Sequence, residues 1–191
     1  MHEYSYDLNG DLVGHSVDGV SASTYTWDAD RRRSTANGRP ATYNDAGELI
    51  DFDSTAIVYD ANGYLADDGT WSYDYSIRGE LLRATRNSDG REITYDWDGA
   101  RRLISRTADN ETIFIRYNDP FAPYRITSIE EPNGLLVQPI YDDAGRLIEL
   151  TRGITTYAVS TDPAGSPRAY VTSNGTIVKR IERGPFGELI S

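Results

Sequence analysis

The side chains with the most chemical reach in this sequence are its carboxylates. Asp51 with Asp53, Asp67 with Asp68, and Asp142 with Asp143 stand next to or near one another. Two carboxyl groups held close together would perform glycosidic or aspartic-protease chemistry if burial split their pKa values. The same residues have a simpler use, because an aspartate at a turn hydrogen-bonds the local backbone, and this chain has aspartate at nearly every turn signal. Asp7-x-Asn9-x-Asp11 has the opening oxygen-ligand spacing of a calcium loop, but Leu12 stands where that loop needs glycine. Asp18 stands where the bidentate glutamate belongs. His2 and His15 are the two histidines, and neither lies beside a recognisable nucleophile or ligand set. Because there is no cysteine, disulfides, thiolate metal sites and cysteine catalysis are excluded. The carboxylates are read as turn structure, and no catalytic residue, metal ligand or cofactor is assigned.

Charge narrows the partners. Lys and Arg number 19 against 30 Asp and Glu, for a net charge of −11. A phosphate-backbone binder needs a basic stripe. The basic cluster here is Arg31-Arg32-Arg33, flanked by aspartates with which it is expected to pair on a solvated face. No nucleic-acid partner is expected. No apolar run is long enough to span a bilayer, so no membrane insertion by this chain is expected. Nothing at the N-terminus resembles a signal peptide. Among 191 residues there are 14 Tyr but only 4 Phe and 1 Met, so tyrosine is the main large packing residue, with a hydroxyl that needs a partner.

The elements that carry these side chains repeat. An aromatic residue and aspartate are followed by a short gap, glycine, and then leucine. Tyr6-Asp7-Leu8-Asn9-Gly10-Asp11-Leu12, Tyr43-Asn44-Asp45-Ala46-Gly47-Glu48-Leu49, Tyr59-Asp60-Ala61-Asn62-Gly63-Tyr64-Leu65 and Tyr141-Asp142-Asp143-Ala144-Gly145-Arg146-Leu147 are close copies. Trp27-Asp28 and Trp97-Asp98-Gly99 put tryptophan in the tyrosine place, and Tyr73-Asp74 and Tyr117-Asn118 read as further copies. The copies recur at roughly 16 to 24 residues, a period that signals a repeat architecture.

Each copy reads as strand, turn, strand. Trp71, Tyr73, Tyr75 and Ile77 alternate with polar residues, as do Ile93, Tyr95 and Trp97, which is the pattern of a strand with one buried face. The pairs Asn9-Gly10, Asp18-Gly19, Asn37-Gly38, Asn62-Gly63, Asp68-Gly69, Asp89-Gly90, Asp98-Gly99, Asn133-Gly134 and Asn174-Gly175 suit tight hairpins with positive φ at their centres. Gly10, Gly47, Gly63, Gly79, Gly99 and Gly145 are the expected turn glycines. No segment has the apolar spacing and cap of a helix. The expectation is an all-β array of antiparallel hairpins filling residues 1–191 as one domain. It has loose copies over 3–50, regular copies over 55–106, Pro-interrupted copies over 107–155 and a distinct terminal phrase over 156–191. Asn118-Asp119-Pro120-Phe121-Ala122-Pro123-Tyr124 is read as a loop ahead of a strand from Arg125 to Ile129. Opening and closing in mid-pattern suggests a piece of a longer polypeptide.

These copies resemble the YD repeats of Rhs proteins, of the shell-forming subunits of insecticidal toxin complexes, and of teneurins. The terminal phrase carries the resemblance furthest: Asp162-x-x-Gly165-x-Pro167-Arg168, then Asn174-Gly175, then Gly184-Pro185-Phe186-Gly187-Glu188. The resemblance implies a β-sheet strip that spirals into a hollow barrel or cocoon and encloses or presents a C-terminal effector. It implies a non-catalytic structural role whose partners are the rest of a larger shell polypeptide and an enclosed effector. Teneurin-type adhesion to a cell-surface protein or glycan is the alternative, and a carbohydrate-active enzyme is a remote one. Either of the first two places the chain outside the cell, secreted or on the surface, as part of a larger protein.

Overall fold

The structure, a computed structural model, describes residues 1–189. Those residues contain β-strands and no α-helix, and the chain divides into two compact units, Met1–Arg91 and Glu92–Ser191.

In the first unit, β1 (His2–Tyr6), β2 (Leu12–Val17), β3 (Val20–Trp27), β4 (Arg33–Ala36), β5 (Arg39–Tyr43), β6 (Leu49–Phe52) and β7 (Thr55–Ala56) pair in sequence order as a seven-stranded sheet. A second sheet begins with β8 (Val58–Tyr59), β9 (Leu65–Asp67), β10 (Trp71–Tyr75) and β11 (Leu81–Arg86), again in order. The second unit starts with β12 (Glu92–Trp97), β13 (Leu103–Ala108), β14 (Glu111–Arg116), β15 (Ser128–Glu130) and β16 (Leu136–Tyr141). It continues in the same neighbour-to-neighbour order with β17 (Leu147–Arg152), β18 (Thr155–Thr161), β19 (Pro167–Thr172) and β20 (Ile177–Arg180). The pairing is antiparallel in both units. All-β architecture was legible from alternation: in β12 the polar residues Glu92, Thr94 and Asp96 are exposed while Ile93, Tyr95 and Trp97 are half-buried.

Burial is shallow. Among the described residues, Tyr25, Ala84 and Ile115 are the buried apolar side chains. Most of the large packing residues are half-buried, so each strand depends on its sequence neighbours, as in other repeat arrays.

Two kinds of turn recur, and they alternate from β1 to β7. In the first kind, at the aromatic-aspartate copies, the Gly63 N–H donates to the Asp60 carbonyl at 3.0 Å and the Asp60 N–H to the Tyr64 carbonyl at 2.8 Å. Gly63 alone takes a left-handed φ of 82°. This is a three-residue loop closed by a glycine bulge. The ladder slips at each of these turns, so that Tyr43 faces Leu49, Tyr59 faces Leu65, Trp97 faces Leu103 and Tyr141 faces Leu147. In the second kind both central residues have positive φ: 49° and 77° at Asp18-Gly19, 53° and 76° at Asn37-Gly38. Asp53-Ser54 and Asp109-Asn110 form the same two-residue turn with no glycine.

Three expectations change accordingly. At Asn9-Gly10, Asn62-Gly63, Asn133-Gly134 and Asn174-Gly175 only the glycine is left-handed, because these are bulged loops rather than two-residue hairpins, and at Asp68-Gly69 and Asp89-Gly90 too the glycine alone is left-handed. Gly99 is not left-handed. It occupies the slot that Ala61 fills in the Tyr59 copy, and Arg101 takes the αL position with φ 63°. The strand expected from Arg125 begins at Ser128, because the chain is still in a loop at Arg125, whose N–H donates to the Ala122 carbonyl.

The remaining glycines of the repeat, Gly10, Gly47, Gly79 and Gly145, all have φ between 77° and 85°. A Cβ on Gly79 would also overlap the Tyr64 phenol. Gly79→Ala is therefore expected to cost more than the ~1–2 kcal/mol of a left-handed alanine alone. Gly99→Ala, with open space around its Cβ, is expected to stay within about 0.5 kcal/mol of the parent. Urea unfolding of both variants checks this; equal losses would contradict the turn assignment.

Candidate functional site

The most regular chemistry in the molecule sits at the first kind of turn. The Asp60 Oδ1 atom accepts the backbone N–H groups of Asn62 at 2.8 Å and Tyr64 at 2.9 Å. Asp28 does the same for Asp30 and Arg32, Asp98 for Ala100 and Arg102, and Asp162 for Ala164 and Ser166. Asn44 and Ser76 fill the role with an amide and a hydroxyl oxygen. A carboxylate two and four residues ahead of these amides satisfies donors that the bulge takes out of the ladder. That need explains why an aspartate follows the aromatic.

The second carboxylate oxygen reaches across to the residue just before the leucine slot. Asp28 Oδ2 accepts Arg32 Nε at 2.8 Å, Asp98 accepts Arg102 at 2.7 Å and Asp142 accepts Arg146 at 2.8 Å. Two of these held guanidiniums cover an aromatic ring of the following copy: Arg32 lies 5.2 Å from the Tyr43 ring and Arg102 4.9 Å from Tyr117. Arg125, paired with Asp119 at 3.5 Å, lies 5.2 Å from the Tyr141 ring. Beneath it, the tyrosine hydroxyl donates to the very next backbone carbonyl: Tyr43 to Arg33 at 2.9 Å, Tyr117 to Leu103 at 3.1 Å, Tyr141 to Ile126 at 3.2 Å. Trp27 makes the equivalent bond from its indole N–H to the Leu12 carbonyl at 2.8 Å. Where Tyr64 replaces the arginine, it stacks on Tyr75 with ring centres 5.0 Å apart. The copies of Trp27, Tyr43, Tyr75, Tyr117 and Tyr141 are thereby fastened to the turn of the copy before them.

The electrostatics follow from this geometry. Backbone N–H groups four residues on hold the Asp28, Asp98, Asp142 and Asp162 carboxyls below the usual range, with the paired arginines adding to the effect. The Arg86 guanidinium lowers Asp89 to about 2. Burial pushes the Tyr117 and Tyr141 hydroxyls up, which keeps them protonated as donors.

The residues singled out in the sequence fall mostly on this frame. Trp27, Tyr43, Tyr59, Trp97 and Tyr141 occupy the slot opposite the leucine position. Tyr6 is there too, facing Leu12, but is largely exposed. In the Trp71-to-Leu82 copy the slot belongs to Tyr75, which faces Leu81, and not to Tyr73. Tyr73 is two residues too early; its hydroxyl donates to Asp68 instead, and Ser76 caps the turn. Two parts of the terminal phrase are further copies, and Asn174-Gly175 between them closes a third bulged turn. Asp162 caps one, pairs with Arg168 at 2.9 Å and leaves Gly165 at φ 84°, while Pro167 opens β19 opposite Thr161. In the other, Gly184 stands in the aspartate place, Pro185 and Phe186 form the tip, and Gly187 has φ 86°.

The carboxylate pairs are engaged in turns. Asp51 accepts the Ser54 N–H, Asp53 pairs with Arg39, Asp67 accepts the Gly69 N–H, and Asp68 accepts Thr70 and Trp71. Asp7 binds the amides of Asn9 and Asp11, while Asp11 pairs with Arg31 at 2.5 Å. Arg31 and Arg32 thus meet aspartates, and Arg33 lies 5.8 Å from the Tyr25 ring. Among the described residues no group of three or more His, Asp or Glu is placed to hold a metal ion.

The comparisons with known proteins agree with this frame. A family model, the Teneurin YD-shell, matches residues 1–191. The chain belongs to the teneurin YD-shell family. Teneurin-m of Drosophila melanogaster is 32% identical over 133 residues, covering 69% of this chain and 5% of its own length. Teneurin-3 of Mus musculus is 28% identical over 193 residues, covering 99% of this chain and 6% of its own. Among solved structures, the Photorhabdus luminescens Tc holotoxin pore superposes with a TM-score of 0.52 at 14% identity, over 98% of this chain and 13% of that one. TcdB2-TccC3-Cdc42 gives 0.53 at 15%, with the same coverage. These structures share the fold, and the chain spans a small part of every relative named here. It is a YD-shell segment.

The lowered carboxyls carry a sign. A depressed folded-state value stabilises the fold above the ordinary carboxyl value of about 4 and ceases to do so as pH falls through the depressed value. The global unfolding temperature is expected to drop steeply below about pH 4. Asp98→Asn, which keeps the amide cap and loses the charge on Arg102, is expected to flatten part of that drop. A parent profile that stays level down to about pH 2 would contradict the role given to these turns.

Proposed function

We propose that this chain works as a non-catalytic wall segment of a larger YD shell, with residues 1–191 acting as one array that encloses or presents a C-terminal effector. The observation that carries this reading is the fastening of successive copies at Trp27, Tyr43, Tyr75, Tyr117 and Tyr141. Arg102, Tyr117 and the Leu103 carbonyl spend their polar groups on self-assembly of the sheet, as do Arg32, Tyr43 and the Arg33 carbonyl. Membership of the teneurin YD-shell family supports it, and so does the small share of each relative that the chain covers. The partners in this reading are the remainder of the shell polypeptide and its cargo, and the location is extracellular, secreted or at a cell surface.

A second reading, adhesion to a cell-surface protein or glycan, is favoured by one loop. Phe121 is 97% exposed and Tyr124 70% exposed, although the loop bearing them is tied down. Asp119 accepts the Phe121 and Ala122 amides, and Arg102 donates to the Pro123 carbonyl at 2.6 Å. Rigid, exposed aromatics are the usual anchors of protein interfaces.

Mass spectrometry of peptides from the producing cells tests the shell reading. Peptides of this chain are expected in a product far larger than 21.3 kDa. A product cut just beyond Ser191 supports an enclosed effector, and an uncut product on the cell surface supports adhesion. Recovery of the 21.3 kDa species alone would end the shell proposal.

A further inference from the structure

Within the first unit the wall changes partners at Ile57: β7 pairs back to β6, β8 pairs forward to β9, and Ile57 joins the two. Around that step lies a cleft of about 340 Å³. Leu49, Phe52 and Ile57 give it apolar walls, Arg33 and Arg39 add positive charge, and Asp68 enters from the turn ahead of β10.

Arg39 is held in place there. Its Nε donates to Asp53 at 2.8 Å, and its guanidinium lies 4.6 Å from the Phe52 ring centre. Among the described residues its two Nη groups donate no hydrogen bond. Asp53, which does the holding, is not part of the lining. It stands in the turn Asp53-Ser54, where both residues are left-handed, at 54° and 66°, with no glycine to relieve them. Asp109-Asn110 also lacks glycine, but asparagine tolerates this conformation better than serine does. Strain kept in a turn that fixes a guanidinium fork points to a use for the fork.

Asp68 is equally fixed. Its Oδ1 accepts the N–H groups of Thr70 at 2.8 Å and Trp71 at 2.7 Å, and its Oδ2 accepts the Tyr73 hydroxyl at 2.8 Å. A Cβ on Gly69 would overlap the Thr55 methyl, so this turn packs directly against β7. With two lone pairs on each carboxylate oxygen, Oδ2 retains an acceptor position.

These groups select a ligand by their chemistry. Arg39 offers donors alone, so what meets it must accept, and an anion does so best. Asp68 offers acceptors alone, so what meets it must carry a hydroxyl or N–H. The apolar walls ask for C–H surface. Two guanidiniums against one carboxylate leave the lining with a net positive charge, in a chain whose own net charge is −11. A monoanion suits that lining better than a zwitterion or a neutral molecule. The volume is at the small end of ligand sites, with room for about one six-membered ring. A glutamate side chain would satisfy Arg39 but brings no donor of its own to Asp68.

We propose that this cleft binds the carboxylate-bearing sugar ring of an acidic glycan. The carboxylate sits on Arg39, a ring hydroxyl donates to Asp68, and the C–H face of the ring lies on Leu49 and Ile57. The proposal rests on the adhesion reading above and gives it a ligand class.

Nuclear magnetic resonance of the intact polypeptide, with glucuronic acid as the probe, tests this. The methyl signals of Leu49 and Ile57 are expected to shift and to saturate. Glucose, a similar ring without the carboxylate, and polyglutamate, an acid without the ring, are each expected to bind about tenfold or more weakly. Arg39→Gln is expected to weaken glucuronic acid by about tenfold or more and to leave glucose within about twofold. The methyl shifts of the parent protein need no variant, so they decide the matter even where Arg39→Gln fails to fold. Glucose or polyglutamate binding as tightly as glucuronic acid, Leu49 and Ile57 signals that stay unmoved, or an affinity that survives Arg39→Gln would each overturn the site. An acidic glycan that binds only at the Phe121 loop would overturn the cleft and leave adhesion standing. No glycan binding at all would end both the cleft and the glycan form of adhesion.

Discussion

A bulged turn takes backbone N–H groups out of the ladder, and an array built from such turns has to supply their partners locally. Here one side-chain oxygen does so at most copies, accepting two amides at once, as Asp60 does for Asn62 and Tyr64. With few side chains fully buried, the fold cannot draw on a thick apolar core to offset unsatisfied turns. The capped turn therefore sets where each strand ends, which residue becomes left-handed, and which aromatic faces which leucine.

The cap also couples one copy to the next. At Asp28 and Asp98 its free oxygen positions an arginine, the arginine lies on the next aromatic ring, and that ring's hydroxyl closes on the carbonyl beside the arginine. Coupling of nearest neighbours only is the energetic form expected of a repeat array. Variation at the coupling residue changes the chemistry and keeps the function. Tyr64 stacks where Arg32 and Arg102 carry charge, and Asp11 pairs directly with Arg31.

Much of this was legible in the sequence, for reasons that are local. Alternation in Ile93, Tyr95 and Trp97 needs only the geometry of a strand, and aspartate before a glycine needs only the geometry of a turn. Tyr73-Asp74 matches the motif by letter, yet Tyr75 holds the slot. The structure uses Ser76 as the cap, which a search for aspartate passes over. Gly99 misled in the same way: left-handed φ belongs to a position, and Arg101 holds it. The fastening between copies was not legible, because its partners lie 10, 14 and 15 residues apart with no fixed period. An arginine immediately before the leucine slot, as at Arg32 and Arg102, was the available signal.

A double-mutant cycle on Arg102→Met and Tyr117→Leu, read by urea unfolding of the whole chain, tests the coupling most directly. The account predicts that the two losses fall short of additivity by about 0.5–1.5 kcal/mol, since either change alone already breaks the link between copies. Losses that add to within about 0.3 kcal/mol would mean that the arginine and the tyrosine act independently, and that the copies are held together by the backbone ladder alone.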